Sequence, residues 1–269
     1  MLVLGATGRL GRPIVHLLLA RGHPVRAGVR DPASKAAADL ARRGADVVLA
    51  DFDAPETIVT AARGARAVVA AGTAHRAGPE GERRHGLALA DALSEAQTAH
   101  FVYVSGAGAD RPTGVPVFES KRAVEQRIAE LGLSATILAP VYFMENAFNP
   151  WNLPALARGR FALPLAAGRT LAQVAIDDVA EAAVTALERP EAFAGRRIEL
   201  ASDALTGAQA AERLSRVTGR AYAFERLPLD ALAPPLRLLF EWLNAVGFDG
   251  VEVSGGSFER WAAAQRWPG

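Results

Sequence analysis

Gly5-Ala6-Thr7-Gly8-Arg9-Leu10-Gly11 follows the apolar run Met1 to Leu4 and precedes Pro13 to Arg21, a segment that sets Ile14, Leu17 and Leu18 on one helical face. Three glycines between a strand and a helix have separate physical tasks. Gly5 permits the tight turn, Gly8 leaves the backbone bare for the close approach of a pyrophosphate, and Gly11 lets the helix lie against the sheet. The helix N-terminus itself favours an anion. The segment stops at Gly22, the residue type suited to a left-handed helix end.

Working outward, strand-length apolar runs recur at Val25 to Val29, Asp46 to Ala50, Ala67 to Ala71, Phe101 to Ser105 and Ser134 to Leu138. Their spacing of about 20 to 30 residues is that of βαβ units. The intervening helices are expected from Asp31-Pro32 to Arg42-Arg43-Gly44, with Asp31 as the cap, then over Pro55 to Ala62, Pro79 to Ala96 and Val117 to Glu130. Six strands joined by five crossovers predict an α/β, doubly wound parallel sheet, the Rossmann fold. It is expected to occupy residues 1–140.

After Pro140 the rhythm breaks: Trp151, Pro154, Gly159, Pro164 and Gly168 punctuate short elements. A helix over Asp177 to Glu188, a strand near Arg197 to Leu200, a helix over Thr206 to Val217 and a strand near Ala221 to Arg226 then suggest a small C-terminal α/β lobe. The apolar, aromatic stretch Leu232 to Val246 and a short helix over Phe258 to Ala264 end the chain. Residues 141–269 are therefore assigned to a substrate-binding lobe, with some elements packing back on the main sheet.

Thirty Lys and Arg against twenty-nine Asp and Glu give a formal charge of +1 in 269 residues, half of them hydrophobic. The basic side chains are scattered, which argues against direct nucleic-acid binding. With no cysteine, thiolate chemistry and disulfides are excluded. No apolar run approaches the length of a membrane span, and the N-terminus lacks a signal-peptide pattern, so the expected location is cytoplasmic. His16, His23, His75, His85 and His100 show no ligand spacing, and no metal site is expected. Asp177-Asp178 stands at a helix start, where carboxylates meet the positive end of the dipole.

The end of the second strand carries Arg30-Asp31. With Asp31 assigned to capping, Arg30 is left to face a 2′-phosphate, helped by Arg9, which favours NADP(H) over NAD(H). Asp51 and Phe52 follow the third strand, where a carboxylate and a ring border an adenine. Ala71-Gly72-Thr73 supplies small residues for the passage of the rest of the cofactor.

These residues together resemble the NmrA-like branch of the atypical short-chain dehydrogenase/reductases. The likeness is carried by Gly5 to Gly11, Val29-Arg30-Asp31, Asp51-Phe52-Asp53, Ser105-Gly106-Ala107, Ser120-Lys121, Pro140 to Asn146, Ile176 to Ala180, Thr218-Gly219-Arg220 and Pro228-Leu229. The resemblance implies cofactor contacts from Gly5, Thr7, Gly8, Arg9, Leu10, Gly11, Ser105 and Lys121, the last on the nicotinamide ribose. It also implies that Pro140, Val141, Tyr142 and Phe143 meet the nicotinamide end. A small conjugated acceptor would enter over Tyr142, Phe143 and Asn146.

One departure from the wider superfamily matters. The tyrosine that precedes the active-site lysine by four positions falls at residue 117, which is valine here. A lysine alone is poorly suited to protonating an alkoxide. Alcohol dehydrogenation is therefore not expected, whereas reduction of a quinone or another conjugated acceptor leaves a delocalised oxyanion that water can protonate. Tyr142 is the candidate hydrogen-bond donor beside Lys121, with Tyr103, His75 and His85 as alternatives. The same features also suit a non-catalytic NADP(H)-binding redox sensor or regulator. Both a monomer and a homodimer remain open.

Overall fold

The computed structural model describes residues 1–150, 152–253 and 258–268, apart from the side chains of residues 74–76. Trp151 and the side chain of His75 lie outside the described residues.

The chain divides into two units, one built from Met1–Ala139 and Ile176–Ile198, the other from Pro140–Ala175 and Glu199–Gly269. In the first part of the chain, strand and helix alternate: β1 (Leu2–Leu4), α1 (Gly11–Ala20), β2 (Arg26–Val29), α2 (Lys35–Arg42), β3 (Asp46–Leu49), α3 (Pro55–Ala62), β4 (Val68–Ala71), α4 (Ala74–Glu95), β5 (Phe101–Val104), α5 (Pro116–Glu130) and β6 (Ala135–Pro140). Then come β7 (Tyr142–Phe143), α6 (Leu153–Ala157), β8 (Arg160–Leu163), β9 (Thr170–Val174), α7 (Ile176–Glu188), α8 (Pro190–Phe193), β10 (Arg197–Leu200), β11 (Asp203–Thr206), α9 (Gly207–Thr218), β12 (Ala223–Arg226), α10 (Pro234–Ala245) and α11 (Phe258–Ala263).

The main sheet has seven strands in the order β10-β6-β5-β4-β1-β2-β3. Pairings from β1 to β6 are parallel, and Leu4 stands in register with Gly28 on one side and Ala70 on the other. Six of these strands are those read from the sequence. The seventh, β10, is the run near Arg197 to Leu200; Ile137 donates to the Arg196 carbonyl (2.9 Å) and Val141 to that of Leu200 (3.1 Å), both chains advancing together.

Strands that are apolar on both sides demand cover on both faces. Leu2, Leu4, Val68, Ala70, Phe101 and Tyr103 pack with Leu89 and Leu93 of α4 and Val124 and Ile128 of α5 in one core cluster. On α1, the residues Ile14, Val15 and Leu18 are buried. Helix α7 returns to the same unit, where Glu188 accepts from Arg21 at 2.7 Å.

The start of α2 differs from the sequence reading. Ser34, not Asp31, caps α2, accepting from the Ala37 amide at 3.3 Å. The Asp31 carboxylate instead accepts from Ala33 N at 3.0 Å, and its carbonyl accepts from Ser34 Oγ at 2.8 Å. An Asp side chain readily closes such a turn on the amide two residues on, and the helix then begins later. The segment α4 is broken at Gly78, whose φ is +69°, so its long continuous helix runs from Pro79, the start expected from the sequence.

In the second unit, β11-β9-β7 form a three-stranded sheet and β12-β8 a two-stranded one. The punctuated segment after Pro140 thus contains three strands that lacked a readable period. Helix α9 carries a full capping box, with Thr206 and Gln209 serving each other's amides, and ends on Gly219 at φ +70°.

Candidate functional site

The order of connections reverses between β1 and β4: the chain leaves β1 toward β2 and β3, then crosses to β4, β5 and β6. In such sheets the crevice beyond the carboxyl ends at the reversal is where ligands bind. The glycine turn emerges there from β1, and Ala71-Gly72-Thr73 emerges from β4.

Gly5 has φ +65°, a conformation open to glycine. Gly8 N donates to the Gly5 carbonyl at 2.8 Å. A Cβ on Gly8 would stand 3.0 Å from that oxygen; one on Gly11 would stand 2.2 Å from it and 2.9 Å from Ala6 Cα. No side chain caps α1, and among the described residues the amides of Arg9 and Leu10 make no hydrogen bond within the protein. Bare amides at a helix start fit the anionic diphosphate of a dinucleotide. Arg30 and Arg9 are exposed, and neither has an ion-pair partner among the described residues. Leu10 is buried and Thr7 half-buried. Asp51 folds its carboxylate onto the Asp53 amide at 3.1 Å, and Phe52 lies against the His85 ring, centroids 5.9 Å apart.

A polar floor underlies Ala71-Gly72-Thr73. Glu82, 1% exposed, accepts from Lys121 Nζ at 2.8 Å and from Ser120 Oγ at 3.0 Å. A Cβ on Gly72 would meet Glu82 Oε1 at 1.7 Å and Lys121 Nζ at 2.6 Å, so the ion pair presses against the bare backbone. Beside it, His85 Nδ1 is 3.0 Å from Thr73 Oγ1 and Nε2 is 2.8 Å from Asp53 Oδ1. Between these groups lies a cavity of about 10 Å³, lined by Gly72, Thr73, Glu82, His85 and Tyr103 among others. The buried Tyr103 hydroxyl has no hydrogen-bond partner among the described residues. Burial, and then the charges of Glu82 and Glu125, push its ionisation well above the ordinary phenol value.

Ser105, at the end of β5, donates to Glu125, which also accepts from Arg197 Nε at 3.0 Å. Arg197 reaches the Gly106 carbonyl at 2.9 Å. The Ser105 hydroxyl proton is thus committed inside the unit. Val117 offers no polar atom on its side chain.

In the second unit Tyr142 is buried edge-on against Phe240, centroids 6.0 Å apart. Burial raises its ionisation, and a hydrogen bond with the Asn146 side chain opposes that shift. Phe143 and Asn146 are half-buried, Pro140 and Val141 buried, and the Val141 amide is engaged by the Leu200 carbonyl. The late aromatic segment seals its own unit: Trp261 Nε1 donates to Glu145 Oε1 at 2.9 Å, and Phe148 stacks near Trp267 at 4.8 Å.

Among the described residues no group of three His, Asp or Glu side chains could hold a metal ion, and no helix is long and apolar enough to cross a membrane. The sequence reading overlooked Glu82 and Glu125. Glu82 had a signal: it shares the α4 face of His85, Leu89 and Leu93, and a carboxylate on an apolar stripe requires a buried partner.

A family model described as the NmrA-like family matches residues 1–253. Photosystem II assembly factor Ycf39 of Cyanophora paradoxa is 31% identical over 160 residues, covering 58% of this chain. The match spans about half that relative's length, 49%. NAD(P)H azoreductase of Xenophilus azovorans is 29% identical over 230 residues, 86% of this chain and 78% of the relative. The Citrobacter sp. triphenylmethane reductase complexed with NADP(H) superposes with a TM-score of 0.80 at 20% identity, covering 98% of this chain and 96% of that one. At that identity the superposition shows the shared fold alone.

Proposed function

This chain belongs to the NmrA-like family, and from that premise we propose that it is an NADPH-dependent oxidoreductase which passes a hydride to a quinone-like or other conjugated acceptor. The observation that carries the reading is the bare cradle of Gly5, Gly8 and Gly11 at the uncapped start of α1. Arg30, an exposed cation without an ion-pair partner among the described residues, suits a 2′-phosphate, which is the basis for preferring NADP(H).

When bound, NADPH supplies the hydride. The chain's own share is alignment and exclusion of water. Thr7, Arg9 and Leu10 flank the cradle; Asp51, Phe52, Ala71, Gly72, Thr73 and Ser105 border the path; Lys121, anchored by Glu82, offers its remaining ammonium protons to ribose hydroxyls. Valine at position 117 removes the phenol that alcohol dehydrogenation needs, and a conjugated acceptor dispenses with it. In the second unit we assign Pro140, Val141, Tyr142, Phe143 and Asn146 to the nicotinamide end and the acceptor. Tyr142, which burial keeps protonated, is the proposed hydrogen-bond donor.

The test is NADPH oxidation against a panel of quinones, azo and triphenylmethane dyes and nitroaromatics, with NADPH binding followed by calorimetry. Turnover with at least one class is expected, with Tyr142→Phe lowering kcat. Binding without turnover across the panel would favour the second reading, a non-catalytic NADP(H)-binding sensor or regulator. Arg30→Ala should weaken NADPH binding by about tenfold or more and NADH binding by less than about twofold, as expected for loss of one charge-assisted phosphate contact. An unchanged ratio of the two affinities would overturn the cofactor preference.

A further inference from the structure

We infer that Asp53 and His85 form an orienting relay for Thr73, fixing its hydroxyl so that an oxygen lone pair faces the crevice and accepts a hydrogen bond from a ribose hydroxyl. The inference rests on the reading of that crevice as a dinucleotide site.

The donor and acceptor roles follow from the chain of contacts. The hydrogen bond from His85, followed by that from Arg84, holds the Asp53 carboxyl below its usual range, so it is anionic and only accepts. His85 Nε2, 2.8 Å away, must therefore carry the proton. In the neutral ring Nδ1 is then an acceptor, and at 3.0 Å it takes the hydroxyl proton of Thr73. That proton is directed inward, and only lone pairs remain for the crevice. Arg84 stands 3.1 Å from the same Asp53 oxygen and 3.2 Å from His85 Nε2. A nitrogen that already donates cannot also accept, so the guanidinium serves the carboxylate. The other ionisable group on this face of α4, Glu82, has its oxygens engaged by Lys121 and Ser120.

Position gives the relay its use. His85 is 8% exposed, whereas Thr73 is half-buried just past the end of β4. Ala70 is in register with Leu4, which places Thr73 at the reversal crevice beside the glycine turn. A hydroxyl restricted to accepting is matched by the O–H of a ribose and not by phosphate oxygens, which also only accept. Thr73 would thus select the sugar face of the ligand, while the amides of α1 select the diphosphate.

Asparagine places its amide where Nδ1 stands, and glutamine where Nε2 stands, so the two conservative variants separate the contacts. NADPH affinity, measured by calorimetry with melting temperatures alongside, is expected to fall roughly 5–10-fold in Thr73→Val and in His85→Gln. Thr73→Ser should stay within about twofold of wild type, and Thr73→Val/His85→Gln should bind no more weakly than Thr73→Val alone. His85→Asn, which keeps a partner for Thr73 but loses the Asp53 contact that fixes its orientation, should fall between wild type and His85→Gln. The imidazole nitrogen shifts of the wild-type protein should report His85 as the Nε2–H tautomer, a readout that needs no variant to fold. An Nδ1–H tautomer, or wild-type affinity in Thr73→Val, would overturn the relay and leave the crevice reading intact. If the wild type bound neither NADPH nor NADH, the crevice reading would fail first and the relay with it.

Discussion

Gly11→Ala is expected to abolish dinucleotide binding and to lower stability by about 3 kcal/mol, the upper part of the usual range for overpacking. For a chain of this size that corresponds to a melting temperature lower by roughly 6–12 °C. The cause is rigid: the new Cβ would lie 2.2 Å from the Gly5 carbonyl oxygen and 2.9 Å from Ala6 Cα, both backbone atoms. No rotamer relieves such contacts, so α1 must shift off the turn and carry its N-terminal amides away from the anion site. The neighbouring glycines calibrate the result. Gly8→Ala meets the same oxygen at 3.0 Å, which a small movement relieves; it should fold almost normally and lose affinity because the added methyl occupies the cradle. Gly5→Ala meets nothing within 4 Å but must hold φ +65°, a penalty of roughly 1–2 kcal/mol. Thermal unfolding and calorimetry of the three proteins should rank stability as Gly11→Ala lowest, then Gly5→Ala, then Gly8→Ala. A Gly11→Ala protein melting within about 2 °C of wild type would show that the helix does not press on the turn as described.

That glycine turn was legible because its cause is local: three residues without side chains between a strand and a helix. The same holds for the parallel strands, whose continuous apolar runs need cover on both faces, and for α3, whose Pro55 start and Ala62 end were read correctly. The start of α2 was misread because two capping residues, Asp31 and Ser34, compete within three positions, and a proline between them suits either a helix start or a turn. Strands β7 to β9 were missed for a different reason. They are short, and their register is set by one another and by β11 and β12, not by any alternation along the chain. In the candidate site, Arg30 and the glycines could be placed from their distance to a strand end. The floor beneath Thr73 could not, since residues 82, 120 and 121 meet only through the packing of α4 on α5, and residues 53, 73 and 85 only where α4 lies beside α3 and the end of β4.

Lys121→Met is expected to destabilise the protein by about 3–5 kcal/mol, the penalty for leaving one member of a buried ion pair without its partner. Glu82 is 1% exposed and Lys121 14% in their side chains, so the carboxylate bears most of the loss; Ser120 alone would remain to satisfy it. The pair as a whole is a different matter. Removing both charges in Lys121→Met/Glu82→Leu replaces them with apolar groups of similar volume, and such exchanges are often neutral. The double variant should therefore recover to within about 1–2 kcal/mol of wild type, with a strongly non-additive cycle in urea unfolding. It should not recover NADPH affinity if Lys121 reaches the ribose, which separates the lysine's part in the fold from its part at the ligand. Gly72→Ala probes the same floor from above, because its Cβ would fall 1.7 Å from Glu82 Oε1 and force the carboxylate off Lys121. Should Lys121→Met lose less than about 1 kcal/mol while Gly72→Ala folds normally, the ion pair would not be what supports the bare backbone beyond β4.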